Sequence, residues 1–280
     1  MRANQDRYAV FGNPIKHSKS PQIHTLFAQQ THQLLTYTAE LAEPGEFNQA
    51  VDSFIKNKGK GLNVTVPFKE DAWACAVKRS ERAQRAGAVN TLMLQPDGSL
   101  YGDTTDGVGL VRDLTQNHNI VLSDKDILVI GAGGAVRGVL EAILEQRPTS
   151  LLIANRTKQK AVQLAEDFSD LGNINGSGLD EIDALNFDIV INGTSASLKG
   201  DLPALPDSIF RANSDSYDMM YAAQATPFMQ WSANHGAKKI MDGLGMLVEQ
   251  AAESFYIWRG VRPETATVIL HIRRQLTQAT

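Results

Sequence analysis

A lysine just beyond a hydrophobic segment is the first residue that could do chemistry. The segment Leu62–Val66, LNVTV, has the composition of a short buried strand, Pro67 ends it, and Lys69 follows. Most lysines are solvated, and a place at a helix start would make Lys69 one of them. The alternative is that Lys69 points into a cleft and transfers a proton. The neighbouring residues do not decide between these interpretations.

A second chemical feature is the glycine-rich stretch ILVIGAGGAVRGVL. A hydrophobic strand runs into Gly131, Ala132, Gly133 and Gly134, and a helical pattern follows directly. Gly131 permits a tight turn, Gly133 lets the backbone approach a pyrophosphate, and the helix start offers unsatisfied N–H groups to that anion. Val136 replaces the third small residue of the G-x-G-x-x-G/A fingerprint, so a purely structural turn is the alternative. The placement between strand and helix favours a dinucleotide site.

The end of the next predicted strand indicates which dinucleotide binds. Folds specific for NAD carry Asp or Glu about 20 residues after the glycines, where the carboxylate binds the ribose 2′-hydroxyl. Here the strand ends with Asn155, Arg156 and Thr157, and no carboxylate is present. Arg156 can bind a 2′-phosphate through two hydrogen bonds, and Lys160 adds a second cation. A solvated arginine at a helix start is the alternative, but the pattern favours NADP over NAD.

Alternating strands and helices must position these groups. Hydrophobic periodicity and turn residues predict strands over 7–12, 35–41, 61–66, 126–131, 150–155, 187–195, 215–221 and 237–243. They predict helices over 20–31, 44–57, 68–77, 135–146, 159–168, 245–258 and 263–278. Pro96-Asp97-Gly98 marks a hairpin turn, whereas residues 172–178 form a polar loop pattern and residues 197–207 are irregular. This alternation is typical of α/β architecture.

Composition narrows the class of protein. The chain has 280 residues, 42% of them hydrophobic, and a net charge of −4, which fits one or two domains without a nucleic-acid surface. We find no secretory signal and no apolar stretch long enough for a membrane. The single cysteine, Cys75, excludes an intramolecular disulfide and fits a cytoplasmic protein, with core packing its expected role. No spacing of ligand residues indicates a metal site.

Several blocks of sequence together resemble the shikimate dehydrogenase family. They occur in family order along nearly the whole chain: YAVFGNPIKHSKSPQIH, GLNVTVPFKE, GAVNTL, GDTTDGVG, GAGGA, ANRT, INGTS and DGLGMLVEQAA. The set is highly specific, although no single block is. The family pattern G-D-N-T-D-G has Thr104 in place of its asparagine and retains Asp106.

The resemblance implies an α/β fold with two domains. Residues 1–106 and 244–280 would form an α/β substrate-binding and catalytic domain that includes the C-terminal helices. Residues 107–243 would form a Rossmann-type NADP-binding domain inserted into it. The implied partners are a small-molecule substrate and NADP, and we expect a monomer or a homodimer.

The reaction that the resemblance implies is the reversible, NADPH-dependent reduction of 3-dehydroshikimate to shikimate, in chorismate and aromatic amino acid biosynthesis. Hydride transfer to the C3 carbonyl creates an alkoxide, which requires a proton from a positioned acid. Lys69 and Asp106 match the Lys/Asp pair that the family places at this oxygen. Lys69 is then either the proton donor or a cation that stabilises the alkoxide.

The resemblance also implies the binding residues. Those expected to contact the substrate carboxylate and ring hydroxyls are Ser18, Ser20, Thr65, Asn90, Tyr221 and Gln250. Those expected to hold the pyrophosphate are Gly131, Ala132, Gly133, Gly134 and Ala135. The adenosine 2′-phosphate would be surrounded by Asn155, Arg156, Thr157 and Lys160. Thr194 and Ser195 would line the cofactor cleft, and Met219 and Gly243 would lie close to the nicotinamide.

Three other functions compete with this interpretation. A quinate/shikimate dehydrogenase of broader cofactor use would accept NAD, which Arg156 disfavours. A non-catalytic NADP-binding sensor would be expected to lack Lys69 or Asp106, and both are present. A generic α/β amino-acid dehydrogenase would not be expected to carry the HSKSP block.

Overall fold

The computed structural model describes residues 5–182, 185–196 and 201–278, and the chain divides into two compact units. The first unit comprises the chain up to Gly109 together with Val248–Ile272. The second unit runs from Leu110 to Leu247 and resumes at Arg273. Each unit contains one six-stranded sheet.

The strands and helices alternate along the described chain. The strands are β1 (Asp6–Gly12), β2 (Leu35–Leu41), β3 (Gly59–Val64), β4 (Lys78–Arg79), β5 (Thr91–Leu94), β6 (Leu100–Asp103), β7 (Asp126–Ile130), β8 (Ser150–Asn155), β9 (Ile174–Gly178), β10 (Phe187–Asn192), β11 (Phe210–Asp218) and β12 (Lys239–Asp242). The helices are α1 (Ser20–Gln30), α2 (Phe47–Lys56), α3 (Lys69–Cys75), α4 (Glu81–Ala86), α5 (Asp106–Arg112), α6 (Gly134–Leu144), α7 (Lys158–Asp167), α8 (Pro227–Asn234), α9 (Leu244–Arg259) and α10 (Ala266–Gln278). A π-helical turn, Asp113–Asn117, follows α5, and a short 3₁₀ helix, Leu179–Glu181, follows β9.

The sheet of the first unit is mixed. Its strand order is β2-β1-β3-β5-β6-β4, with β1 parallel to β2 and β3, and with β5 antiparallel to both β3 and β6. The hairpin between β5 and β6 confirms the turn predicted at Pro96-Asp97-Gly98. Its core includes Phe11, Leu62 and Leu92, which pack together with side chains of α2 and α3. The end of β3 therefore projects from a well-packed sheet.

The sheet of the second unit is entirely parallel. Its order is β12-β11-β10-β7-β8-β9, which, counted from β7 as the first strand, is the 3-2-1-4-5-6 order of doubly wound nucleotide-binding folds. The strand β7, DILVI, is buried over Ile127–Ile130, as expected for a strand covered on both faces. The order reverses between β7 and β10, so the loops after these two strands flank the usual ligand crevice.

The strand predicted over 61–66 is displaced by two residues, because β3 runs over Gly59–Val64. β3 ends at Val64, and Thr65–Phe68 form a turn in which the Phe68 N–H donates to the Thr65 carbonyl at 3.1 Å. Val66 is 68% exposed rather than buried. The reason is that Pro67 lacks an N–H and restricts the residue before it, so the chain leaves the sheet before the proline.

Two further sequence predictions are corrected in the second unit. Residues 172–178 were expected to form a polar loop, but Ile174–Gly178 is the edge strand β9. The strand expected at 215–221 starts earlier, at Phe210, and ends at Asp218. Short helices α4, α5 and α8 were not predicted, and the expected irregular segment 197–207 lies partly outside the described residues.

Candidate active site and cofactor site

Lys69 is the first residue of α3 and forms an ion pair with Asp106, the first residue of α5. The distance from Lys69 Nζ to Asp106 Oδ2 is 2.5 Å, and the two side chains are 25% and 12% exposed. A lysine at a helix N-terminus faces the positive end of the helix dipole, whereas an aspartate there is favoured. The carboxylate therefore offsets an unfavourable position for the ammonium group. The pair is buried enough to be ordered, yet Lys69 remains accessible to a ligand.

The Asn90 side chain fixes the other oxygen of Asp106. Asn90 Nδ2 donates to Asp106 Oδ1 at 2.9 Å and to Thr105 Oγ1 at 3.0 Å, while its Oδ1 accepts from the Thr105 N–H at 3.0 Å. Gln250 of α9 brings its Oε1 to 3.4 Å from Asn90 Nδ2. The structure thus brings together four of the predicted residues: Lys69, Asp106, Asn90 and Gln250. Because Asn90 is 3% exposed, these bonds form in a low-dielectric environment, where they are strong.

A chain of hydrogen bonds extends from Asn90 towards the two predicted serines. Asn63 Nδ2 donates to the Asn90 carbonyl at 3.1 Å, and Tyr37 Oη donates to Asn63 Oδ1 at 2.7 Å. Ser20, whose N–H donates to Ser18 Oγ at 3.3 Å, lies near the Tyr37 hydroxyl. Burial raises the pKa of Tyr37 well above its usual value, so its hydroxyl stays a donor. The network extends from the Lys69–Asp106 pair to Tyr37, which lies near Ser20 at the start of α1.

Thr65 lies in the turn between β3 and α3. Its N–H donates to the Phe11 carbonyl at 2.9 Å, and its side chain is half-buried. Its methyl group packs on Gly12, where an added Cβ would lie only 2.5 Å from Thr65 Cγ2. Gly12 therefore leaves room for the threonine, which follows two residues after Asn63 of the network.

The glycine loop of the second unit begins where β7 ends. Gly131 has φ +108°, a conformation that disfavours side chains, and α6 begins at Gly134. A Cβ added at Gly133 or Gly134 would meet no heavy atom within 4 Å, so these two backbones face open space. Ala135 is partly buried against the unit's core, and Val136 is fully buried. The imperfect third position of the fingerprint is therefore a core residue, not a ligand contact.

A pocket of about 1040 Å³ lies beside this loop, within the second unit. The predicted cofactor residues that line it are Gly131, Asn155, Arg156, Thr194 and Ser195. The other predicted cofactor residues are not among its lining residues: Ala132, Gly133, Gly134, Ala135, Thr157, Lys160, Met219 and Gly243. Residues 202–206 complete the wall, a contribution that their irregular, proline-containing sequence did not reveal.

Met219 and Gly243 pack against each other near the ends of β11 and β12. A Cβ on Gly243 would lie 2.2 Å from the Met219 carbonyl oxygen, so this close approach requires glycine. The Met219 sulfur lies 3.2 Å from the position of a Cβ on Gly193, which follows β10. Tyr221 is half-buried, and burial, with a smaller effect of the Asp242 charge, raises the pKa of its phenol.

The pocket and the glycine loop beside it fit a phosphorylated dinucleotide. The open space over Gly133 and Gly134 would admit a pyrophosphate, and the first turn of α6 points N–H groups towards it. The exposed guanidinium of Arg156 lines the same pocket, as a 2′-phosphate ligand must. The residues at the end of β8, Asn155 to Thr157, include no carboxylate.

Two further observations concern metal binding and membrane-spanning helices. Within residues 5–182, 185–196 and 201–278, no group of three or more His, Cys, Asp and Glu side chains is arranged to hold a metal ion. In the same residues, no helix has the length and apolar character needed to span a membrane.

Sequence reasoning missed several buried residues of the first site. They are Tyr37, Asn63, Thr91, Thr105 and Ser254, all hydrogen-bonded within the network. Three of them, Asn63, Thr91 and Thr105, lie inside the blocks quoted above, but only their burial reveals a role. A polar residue in an otherwise apolar strand, such as Asn63 in LNVTV, was the one signal that could have found them.

The parallel sheet, the glycine loop and the pocket define an α/β protein with a Rossmann-type unit. Family models match three parts of the chain: the shikimate dehydrogenase substrate binding domain at residues 10–92, shikimate / quinate 5-dehydrogenase at residues 113–199, and the shikimate 5′-dehydrogenase C-terminal domain at residues 243–269. These matches extend over most of both units.

Relatives and solved structures that are similar over the whole chain agree with the family models. A protein of Chromohalobacter salexigens named shikimate dehydrogenase (NADP(+)) is 57% identical over 273 residues, which cover 98% of this chain and 100% of the relative. Its counterpart in Vibrio campbellii is 56% identical over 276 residues, with 99% of both chains covered. The crystal structure of shikimate 5-dehydrogenase from Thermus thermophilus in complex with NADP(H) and shikimate is 31% identical, has a TM-score of 0.86, and covers 97% of this chain and 100% of its own. The chain belongs to the shikimate dehydrogenase family.

Proposed function

We propose that this protein is an NADP-dependent shikimate dehydrogenase that reversibly reduces 3-dehydroshikimate to shikimate in chorismate and aromatic amino acid biosynthesis. The observation that carries the proposal is the ion pair between Lys69 and Asp106, 2.5 Å long and only partly exposed. It occurs in a chain whose relatives, similar over nearly their full length, are named shikimate dehydrogenase (NADP(+)).

Lys69 and Asp106 handle the oxygen and its proton. Bound NADPH supplies the hydride that makes the C3 carbonyl carbon tetrahedral. Negative charge then develops on the oxygen, and the Lys69 ammonium group can donate a proton to it or stabilise it electrostatically. Asp106 holds Lys69 through one carboxylate oxygen while its other oxygen is bound by Asn90, so the lysine cannot swing freely. In the oxidative direction the same pair accepts the hydroxyl proton.

Polar groups near this pair would bind the rest of the substrate. Asn90 and Gln250 offer amide groups to the ring hydroxyls, and their shared network keeps those amides oriented. Thr65 offers a hydroxyl from the turn before Lys69. Ser18 and Ser20 would bind the carboxylate, with Tyr221 as a further contact. Hydrogen bonds of this kind discriminate strongly, because an analogue that lacks a hydroxyl leaves buried polar groups unpaired.

The cofactor residues belong to the second unit. Gly131 to Ala135 would hold the pyrophosphate, and Arg156, with Asn155, Thr157 and Lys160 nearby, would bind the adenosine 2′-phosphate. Thr194 and Ser195 would line the cofactor path towards Met219 and Gly243. The open space above Gly133 supports this arrangement, because backbone can approach a phosphate only where no side chain intervenes.

The assignment of substrate binding and cofactor binding to different parts of the chain remains a prediction. Substrate binding is assigned to residues 1–106 and 244–280, and cofactor binding to residues 107–243. A cytoplasmic location and a monomeric or homodimeric state also remain predictions. The single cysteine of the chain supports the location.

The test measures NADPH formation from shikimate and NADP, with quinate and NAD as alternative substrates. The variants are Lys69→Ala and, as the matched control, Lys60→Ala, which removes an exposed lysine from β3. We expect the Lys69→Ala variant to lose about 10²–10⁴-fold in kcat, the usual contribution of a general acid–base group, while NADP affinity is retained. The Lys60→Ala variant should match the wild type.

Two results would contradict the proposal. If the wild type turns over and Lys69→Ala loses little activity, the lysine does not handle the proton and the mechanism is wrong. If quinate and NAD give the higher kcat/KM, the protein is instead the quinate/shikimate dehydrogenase considered above.

A further inference from the structure

Arg273 of α10 binds two acceptors at the ends of β11 and β12. Its Nη1 donates to the Ala222 carbonyl at 3.1 Å, and its Nη2 forms an ion pair with Oδ1 of Asp242. The Asp242 side chain is 8% exposed, whereas that of Arg273 is 36% exposed. A carboxylate that is nearly buried needs such a cation, and the planar guanidinium can reach two acceptors at once.

Asp242 and Gly243 connect this ion pair to the segment Met219–Ala222. Asp242 Oδ1 also accepts from the Leu244 N–H at 3.2 Å, at the start of α9. The next residue, Gly243, donates its N–H to the Met220 carbonyl at 3.0 Å and lies against the Met219 carbonyl. Displacement of Asp242 would therefore shift the backbone against which the segment packs.

The other end of the segment is attached to the sheet. The Met219 N–H donates to the Asn192 carbonyl at 2.9 Å, and the Met220 N–H donates to Asp218 Oδ1 at 3.1 Å. Beyond Met220 the segment leaves β11, and the Arg273 bond to Ala222 holds its far end. Tyr221 lies between these two attachments.

We infer that Arg273 is a positioning residue for Met219 and Tyr221. This inference rests on the proposed function, which places Met219 at the nicotinamide and Tyr221 at the substrate. Neither sequence blocks nor motif spacing point to Arg273, which lies beyond the matched family regions. It acts through backbone and Asp242, and it does not contact the reacting atoms.

The experiment compares Arg273→Ala with Arg273→Lys and with Arg274→Ala. Arg274 is the exposed neighbour on the same helix, so its variant controls for the loss of one positive charge. Three quantities are measured: kcat and KM for shikimate at saturating NADP, the Kd of adenosine 2′,5′-bisphosphate, and amide hydrogen exchange over residues 219–222. The bisphosphate probes the Arg156 end of the cofactor site alone.

We expect Arg273→Ala to lower kcat/KM for shikimate by about 10-fold to 100-fold, since small misplacements of binding groups have effects of this size. The Kd of the bisphosphate should stay within about twofold of the wild-type value, because Arg156 is untouched. The amides of residues 220–222 should exchange faster in Arg273→Ala than in Arg274→Ala. Arg273→Lys should be intermediate, because an ammonium group can pair with Asp242 without spanning both acceptors.

Equal kinetics and equal exchange in Arg273→Ala and Arg274→Ala would overturn the inference. So would a parallel loss of bisphosphate affinity and turnover in Arg273→Ala, since that pattern indicates general destabilisation of the unit. If the wild type itself fails to oxidise shikimate with NADP, the proposed function is wrong. Hydrogen exchange over residues 219–222 then still decides whether Arg273 orders the segment.

Discussion

His24 makes stability of the first unit dependent on pH in a way that can be measured. The imidazole is fully buried and stacks on Tyr37, with ring centroids 4.1 Å apart and planes 5° apart. The rings of Phe27, Phe255 and Trp258 also lie within 6.2 Å of it. Neither ring nitrogen has a hydrogen-bond partner among the described residues. Such a site strongly disfavours the imidazolium form.

Burial lowers the pKa of His24 from 6.5 to about 3, and the nearby Asn63 side chain opposes this only in part. The unfolded chain therefore binds a proton at His24 below pH 6.5, whereas the folded chain does not bind it until about pH 3. The contribution of His24 to the free energy of unfolding is therefore fully present above pH 6.5 and is lost as the pH falls towards 3. At about 1.36 kcal/mol per unit, the loss at pH 5 is about 2 kcal/mol.

The perturbation is His24→Phe, which keeps an aromatic ring in the stack and removes the titrating group. Urea unfolding at pH 7.5 and pH 5.0, followed by circular dichroism and tryptophan fluorescence, gives the difference in unfolding free energy between variant and wild type. That difference should shift by about 2 kcal/mol in favour of the variant at the lower pH. Other titrating groups occur in both chains and cancel.

His32→Asn is the control, because His32 is exposed and has φ 54°, a conformation that asparagine accepts. A His24→Phe difference that is the same at both pH values would refute the reasoning. It would mean that the buried imidazole either accepts a proton in the folded protein or is hydrated there.

Four further predictions concern Arg156, Gly133, Gly176 and Cys75. Arg156→Ala should raise the KM for NADP by about 10-fold to 100-fold with little effect on NAD, because charged hydrogen bonds to the 2′-phosphate are lost. Gly133→Ala should leave the thermal midpoint unchanged but weaken NADP binding about 10-fold. Gly176→Ala should instead destabilise the second unit by about 1–3 kcal/mol, because its Cβ would lie 2.3 Å from the Ala161 carbonyl. Burial raises the pKa of Cys75 to about 11, so at pH 8 iodoacetamide should alkylate it about 100-fold more slowly than an ordinary thiol.

Each of these predictions has an outcome that contradicts it. Equal losses with NADP and NAD in the arginine variant would place Arg156 away from the 2′-phosphate. A Gly133→Ala protein that binds NADP normally would show that the pyrophosphate lies elsewhere. If calorimetry gives Gly176→Ala the stability of the wild type, the predicted clash with Ala161 is wrong. Rapid alkylation of the native protein would show that Cys75 becomes exposed.

Local signals predicted the elements whose neighbours in space are also neighbours in sequence. The strand β7, its glycine turn and α6 are consecutive in the chain and in contact in the fold. Hydrophobic runs with glycine at the turn were enough to predict them. Helix α4 was missed although its signals were present: Ser80 caps it by accepting from the Ala83 N–H, and Gly87 ends it in a left-handed conformation. Only its short length concealed it.

The edge strand β9 could not be predicted, because its residues are determined by packing against α7 and have low strand propensity. Gly176 is glycine because the backbone of α7 passes so close to it, and β9 lies at the edge of the sheet beside β8. Glycine and asparagine normally indicate a loop. Knowledge of the helix that covers the strand is needed to interpret them correctly.

The same limit applies to the candidate site. The Lys69–Asp106 pairing came from the resemblance, since 37 residues separate the two in sequence and nothing local links them. The network around Asn90 depends on Ser254, 163 residues after Thr91, to which it is bound at 2.7 Å. Buried hydrogen bonds over such separations are a property of the tertiary fold.

The divided first unit has a consequence for synthesis on the ribosome. Thr91 and Asn63 emerge long before Ser254, the α9 residue to which both are hydrogen-bonded. Until α9 is translated, these buried polar groups lack one of their native partners, whereas the part of the second unit that precedes α9 has already emerged. Domains generally fold as they emerge, so most of the second unit can fold before the first unit is complete, although the part from Arg273 emerges last. The first unit therefore stays incomplete until its last helices have been synthesised.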